Sequence, residues 1–146
     1  MITELNSHLL GCILRSFRLV AGGTLLLYFS RDTSTERKIL WVDCAWRLAD
    51  GEQLIAGSLD PVEKLLQMLL RHVQRRLEDG VEMSIHSIYV DPLTGDLALR
   101  IGESLLIETF SSSRSHEQWE LRENGRSVIC FGQDFSPVVR IEPSPP

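Results

Sequence analysis

The densest run of polar and aromatic residues is Ser115-His116-Glu117-Gln118-Trp119-Glu120-Leu121. On an extended strand alternate side chains share a face, so His116, Gln118 and Glu120 point one way and Glu117, Trp119 and Leu121 the other. A histidine on the same face as a carboxylate has the parts of a general base or of half a metal site. His116 and Glu120 are the polar-site candidates on that ground. A structural reading competes: Trp119 anchors the core and the polar set faces water. Asp43, Cys44 and His86 have the residue types of thiol–imidazole–carboxylate chemistry. Cys44, however, falls in the middle of an alternating apolar strand, whereas nucleophilic thiols sit at turns or helix N-termini that depress their pKa. Ser111-Ser112-Ser113 lacks the Gly-x-Ser-x-Gly elbow that exposes a nucleophile. The chain has no P-loop, no Gly-x-Gly-x-x-Gly and no histidine pair at helical ligand spacing. Cys12, Cys44 and Cys130 are odd in number, widely spaced and each within an expected strand, which reads as buried thiols in a reducing compartment. The sequence therefore assigns no catalytic, cofactor or metal residue.

The elements that position these residues read clearly. Leu10 to Leu19 and Thr24 to Arg31 form an antiparallel pair around Ala21-Gly22-Gly23. Lys38 to Leu48 is a long strand with Leu40, Val42, Cys44 and Trp46 toward the core and Ile39, Trp41, Asp43 and Ala45 on the other face. Trp41 is then the aromatic most exposed to a partner. Asp60 as N-cap, Pro61 at the first helical position and Glu63 at capping-box spacing start a helix over about residues 61–78, which Asp79-Gly80 ends. Val62, Leu65, Leu66, Leu69, Leu70, Val73 and Leu77 make its apolar stripe. Lys64, Arg71 and Arg75 lie opposite that stripe with Met68 beside them, and Arg76 flanks it. This basic edge is either a partner or phosphate contact surface or a solvated helix face. Met68, an apolar side chain on the wet side, marks a contact such as a dimer interface. After the helix come Glu82 to Val90, Leu97 to Ile101, Leu105 to Phe110, Glu117 to Leu121 and Ser127 to Phe131. From Ser136 onward four prolines predict a frayed tail over 136–146 that holds no ladder.

The same phrase occurs twice. Ser16-Phe17-Arg18-Leu19, then Gly23-Thr24-Leu25-Leu26-Leu27, answers to Ser87-Ile88-Tyr89-Val90, then Gly95-Asp96-Leu97-Ala98-Leu99. Ile39 to Val42 answers to Leu105 to Glu108, Trp46-Arg47-Leu48 to Trp119-Glu120-Leu121, and Gly51 to Gly125. A nearly constant period suits a duplicated unit with small loop changes. The expected fold is α+β, mainly antiparallel, with about eight strands in two duplicated four-strand halves related by a pseudo-twofold. Repeat 1 covers about residues 10–57 and repeat 2 about 82–132, with the helix between them and all 146 residues in one domain.

The 43% hydrophobic and 24% charged composition is that of a globular domain large enough to bury a core. A net charge of -5 weighs against nucleic acid and anionic membrane as partners. No basic, apolar leader opens the chain, and no apolar run spans a bilayer, so a cytoplasmic protein is expected.

Leu9-Leu10-Gly11, the Gly-x-Leu-x-Leu of Gly95 to Leu99 and the Glu-x-Trp-x-Leu of Glu117 to Leu121 resemble small uncharacterised bacterial β-rich proteins, some of them immunity proteins of polymorphic-toxin loci. The resemblance implies no catalytic residues. It implies a non-enzymatic cytosolic domain that binds another protein, where an acidic inhibitor docking on a basic nuclease gains electrostatic steering. A small-ligand or structural module with a pocket at the seam between the halves is the alternative. Homodimer formation fits either reading.

Overall fold

The alternation of Lys38 to Leu48 runs unbroken through the segment, yet the ladder stops at Val42 and resumes at Ala45 with a different neighbour. The computed structural model describes residues 2–20, 23–31, 36–110, 119–131 and 137–139. The chain runs α1 (Ile2–Leu9), β1 (Ile13–Val20), β2 (Thr24–Ser30), β3 (Lys38–Val42), β4 (Ala45–Asp50) and β5 (Gln53–Gly57). A long helix follows, made of α2 (Val62–Leu69), a π-helical turn (Leu70–Gln74) and α3 (Arg75–Glu78). Then come β6 (Ile85–Val90), β7 (Leu97–Ile101), β8 (Leu105–Phe110), β9 (Trp119–Glu123), β10 (Arg126–Phe131) and β11 (Pro137–Val139).

The fold is mainly antiparallel β, as expected, in two sheets with the order β1-β2-β3-β9-β10-β11 and β5-β4-β8-β7-β6. Each sheet holds a three-strand meander from one half of the chain and a hairpin from the other. The hairpin β4–β5 pairs with β8, and the hairpin β9–β10 pairs with β3. The long strand expected over 38–48 is thus two strands in two sheets, and each half carries five strands before β11, not four. Trp46 and Leu48 stay on the core face with Leu40 and Val42, because the crossing preserves the alternation.

Three features depart from the sequence reading. The N-terminal strand starts at Ile13, and the residues before it form α1, whose Leu5 and Leu9 are buried one turn apart. Cys12 and Cys44 lie between elements rather than within strands. The proline tail does hold a ladder: Pro137–Val139 pairs antiparallel with Ile129–Phe131. Proline is tolerated there because it opens an edge strand, where one side of the backbone needs no partner.

One contiguous core joins both sheets and both helices, from Leu5 and Leu9 through Leu25, Leu27, Leu40, Trp46 and Leu48 to Leu65, Leu69, Val73, Leu99, Ile107, Trp119 and Leu121. The two tryptophans are nearly fully buried, and each needs an acceptor for its indole N–H. Trp46 Nε1 donates to the Gly23 carbonyl at 2.8 Å, and Trp119 Nε1 to the Gly95 carbonyl at 2.8 Å. Both glycines sit at positive φ, +88° and +74°, in the β1–β2 and β6–β7 turns, a conformation that a side chain would strain.

The irregularities fall in step as well. Against β2 the extra residue of β1 is Arg15; against β7 the extra residue of β6 is His86. In the hairpins the bulged residues are Ile55 and Val128. Leu40 of β3 faces Leu121 of β9, and Ile107 of β8 faces Leu48 of β4.

Candidate functional site

The residues singled out from the sequence separate in space. His116 lies outside the described residues. Glu120 is buried on β9 and accepts from Arg122 Nε at 2.8 Å, while the Arg122 guanidinium lies 5.0 Å from the Trp41 ring centroid. Trp41 is half-buried, with its indole nitrogen enclosed and unpartnered, so the more exposed aromatic is Tyr89. Asp43 accepts from Thr24 Oγ1 at 2.8 Å. Cys44 sits beside Thr109 and Phe110 at the far end of β8, whereas His86 bonds the Gly102 carbonyl before β8 begins. The three do not meet. Burial pushes the Cys44 thiol up to about 11, and burial also raises Cys12, so neither is a poised thiolate.

Two clusters that no sequence motif marks stand at the junctions of helix and sheet. In the first, the Glu123 carboxylate at the end of β9 accepts from His8 Nδ1 of α1 at 2.5 Å and from Lys38 Nζ at 2.6 Å. Lys38 Nζ also donates to the His8 carbonyl at 2.6 Å, and the lysine is almost wholly buried. In the second, the Asp50 carboxylate at the end of β4 accepts from His72 Nδ1 at 2.9 Å, Arg76 Nη2 at 2.8 Å and Ser104 Oγ at 2.5 Å. Arg76 Nη1 donates to the His72 carbonyl at 2.8 Å. Each cluster joins a carboxylate from a hairpin to a helical histidine, with a cation bridging that carboxylate and the histidine's own main chain.

Burial alone would raise both carboxyl pKa values, but the donors win. Asp50 is held down at about 2 by Ser104, His72 and Arg76 against its burial. Glu123 is lowered by Lys38 and His8 in the same way. Ser104 bonds the carboxylate and not the imidazole, so the Asp50, His72 and Ser104 set is no nucleophile relay. Its chemistry is fastening.

What the second cluster fastens is the long helix, whose inner side carries Leu65, Leu69 and Val73 into the core. Met68, expected on the wet side, is turned inward and packs against that core. The other side of the apolar stripe faces outward. Leu59 is 94% exposed, Val62 59%, Leu66 45% and Leu70 47%. Val62, Leu66 and Leu70 recur every fourth residue, which stacks them along one line of the helix. Lys64, Arg71 and Arg75 are exposed on the same helix. Lys64 reaches Asp60 at 3.5 Å, and Arg71 and Arg75 have no ion-pair partner among the described residues.

Lys38 has the same strand parity as Leu40 and Val42, and a lysine on a core face is the signal in the sequence that a buried anion lies nearby. The Leu69-x-x-His72-Val73 spacing likewise repeats Leu5-x-x-His8-Leu9, at a different period from the strands. No helix among the described residues is long and apolar enough to cross a membrane. No family model matches this chain, and no curated protein and no solved structure is similar to it.

Proposed function

We propose that this is a non-enzymatic domain that binds another protein through the outward ridge of its long helix. The observation that carries the reading is the line Val62, Leu66 and Leu70 along the helix, with Leu59 in the turn before it, four large apolar side chains held in water. Apolar clusters rimmed by polar groups on a folded surface mark contact sites. A helix offering anchors at every fourth residue fits an apolar groove on its partner. The unpaired Arg71 and Arg75 favour a groove with carboxylates on its rim. The arginines would tune the rate of encounter, while the apolar anchors supply the affinity.

The scaffold reading goes with it: the two halves descend from one duplicated unit and exchange hairpins across a pseudo-twofold. Matching strand orders, matching bulges and the paired Trp–Gly hydrogen bonds support this. In a bacterial cytosol the binding role includes the neutralisation of a toxin, the form that the sequence resemblance suggests. The alternative, a ligand pocket between the halves, has a groove of about 370 Å³ between Ile13–Arg15 and Leu77, Gly80, Val81 and Glu82. That groove is open, and its lining includes the charged Arg15 and Glu82, so it supports a binding pocket less well than the ridge supports a partner.

A photo-activated cross-linker placed at Leu66 in the native host tests the proposal. One discrete protein adduct is expected, lost on adding Leu70→Glu and absent when the cross-linker sits at the exposed Glu103. No adduct at Leu66, or the same adduct from Glu103, would overturn it.

A further inference from the structure

The two halves differ most plainly in one connection. From β7 to β8 the chain takes three residues, Gly102 to Ser104; from β2 to β3 it takes seven, Arg31 to Arg37. Lengthened connections on a rigid scaffold are where binding groups accumulate. Beside this one lies a concave site of about 460 Å³, within the range of small-ligand pockets, with Arg15, Ser16, Tyr28, Ser30, Glu36 and Arg37 around it.

We propose that this site binds the oxyanion group of a small ligand, a phosphate monoester or a carboxylate. The reasons are local. The β1 bulge takes Arg15 out of the strand's alternation and aims it across β2, where its Nε donates to Ser30 Oγ at 2.9 Å. That bond leaves the guanidinium oriented by the fold rather than by solvent. Arg37 stands on the opposite wall with its carbonyl fixed by the Asn124 N–H at 3.1 Å, and its side chain has no partner among the described residues. The Arg37 guanidinium, with the hydroxyl-bearing Ser16, Ser30 and Tyr28 and with Arg15 held in place among them, gives a donor-rich lining on a protein whose net charge is -5. Guanidinium forks suit the paired oxygens of phosphate and carboxylate. Glu36 is the one acidic side chain in the lining; it is already engaged within the fold, as is Arg15, so the unpaired charge comes from Arg37.

The other half has no such site. His86 takes the place of Arg15 and bonds the main chain at Gly102, and no counterpart of Glu36 and Arg37 exists. The site therefore belongs to one half of the chain alone.

Amide shifts of the labelled full-length protein, recorded against inorganic phosphate and separately against acetate at fixed ionic strength, test the proposal. Saturable shifts centred on Ser16, Tyr28, Ser30 and Arg37 are expected, with affinity at least tenfold weaker in Arg37→Ala and unchanged in Arg71→Ala. Saturation by phosphate alone assigns the site to a phosphate monoester, and by acetate as well to carboxylates. Shifts that do not saturate, that spread equally to Arg71 and Arg75, or that survive Arg37→Ala would overturn it. Arg37→Ala removes only an exposed side chain, so its fold is a fair comparison.

Discussion

Glu123 at the end of β9 and Asp50 at the end of β4 each tie a helical histidine to a sheet, but they do so with different counterions. Glu123 is paired to a lysine whose side chain is only 5% exposed; Asp50 is paired to an arginine that is 31% exposed and shares the carboxylate with a serine hydroxyl. The geometry of the joint is common to both halves, and the degree of burial sets what each joint is worth. A buried lysine tolerates no loss of its anion, because an uncompensated charge away from water is expensive. The arginine, about a third exposed, keeps part of its hydration and depends less on Asp50.

The largest way to break that comparison is Glu123→Gln, expected to cost about 3–5 kcal/mol in urea unfolding, against about 2 kcal/mol for Asp50→Asn. Adding Lys38→Met to Glu123→Gln should recover much of the loss, since no buried charge then remains. Equal costs for the two single variants would show that burial does not separate the joints. Acid titration sharpens the same point. The Asp50 carboxyl titrates below its ordinary 3.8, at about 2, so its stabilisation is whole above pH 4 and fades as pH falls through about 2. Unfolding free energy in Asp50→Asn should therefore be flatter between pH 4 and pH 2 than in the parent chain. The paired indole bonds come next. Trp46→Phe and Trp119→Phe each strand a glycine carbonyl and should each cost about 1–2 kcal/mol, with matching values if the halves are built alike. A twofold disparity would count against that likeness.

The smallest expected effect concerns the sheet edges. The outer edge of β10 is covered by β11, while at the corresponding place on β5 Asp60 takes over: Gly57 N–H donates to Asp60 Oδ2 and Asp60 N–H to the Gly57 carbonyl, both at 2.9 Å. One edge is paired and the other is capped, two answers to the hazard of an open strand. Asp60→Ala should cost under about 1 kcal/mol yet raise concentration-dependent association in light scattering, whereas Glu63→Ala should do neither.

Much of this was legible in residue order. Trp46 and Trp119 announced themselves by spacing, and the Leu40, Val42, Trp46 face follows from alternation. The helix follows from its apolar period, but not from its expected cap: it starts at Val62 after Pro61, with no side-chain cap, because the Asp60 carboxylate turns back to the Gly57 N–H. The change of sheet at Asp43-Cys44 was not legible, because a strand that swaps neighbours keeps its pleat. Short α1 offered only Leu5 and Leu9 as a helical signal, and the adjoining Leu10 read more readily as strand. Met68 flanks the buried Leu65 and Leu69 line and packs partly against the core, while Val62, Leu66 and Leu70 of the same apolar stripe face outward; a stripe this wide does not by itself say which of its edges is covered. The two ion clusters join residues as far apart as His8 and Glu123, contacts that only the exchanged hairpins create.

The claim on which the functional account rests is that the outward ridge is the contact surface. Its most direct test is the affinity of the partner captured at Leu66 for the parent chain and for the Leu66→Glu, Leu70→Glu variant, measured with both unfolding at the same urea midpoint. The account predicts a loss of at least a hundredfold, about 2.7 kcal/mol. Unchanged affinity in a variant of unchanged stability would contradict it.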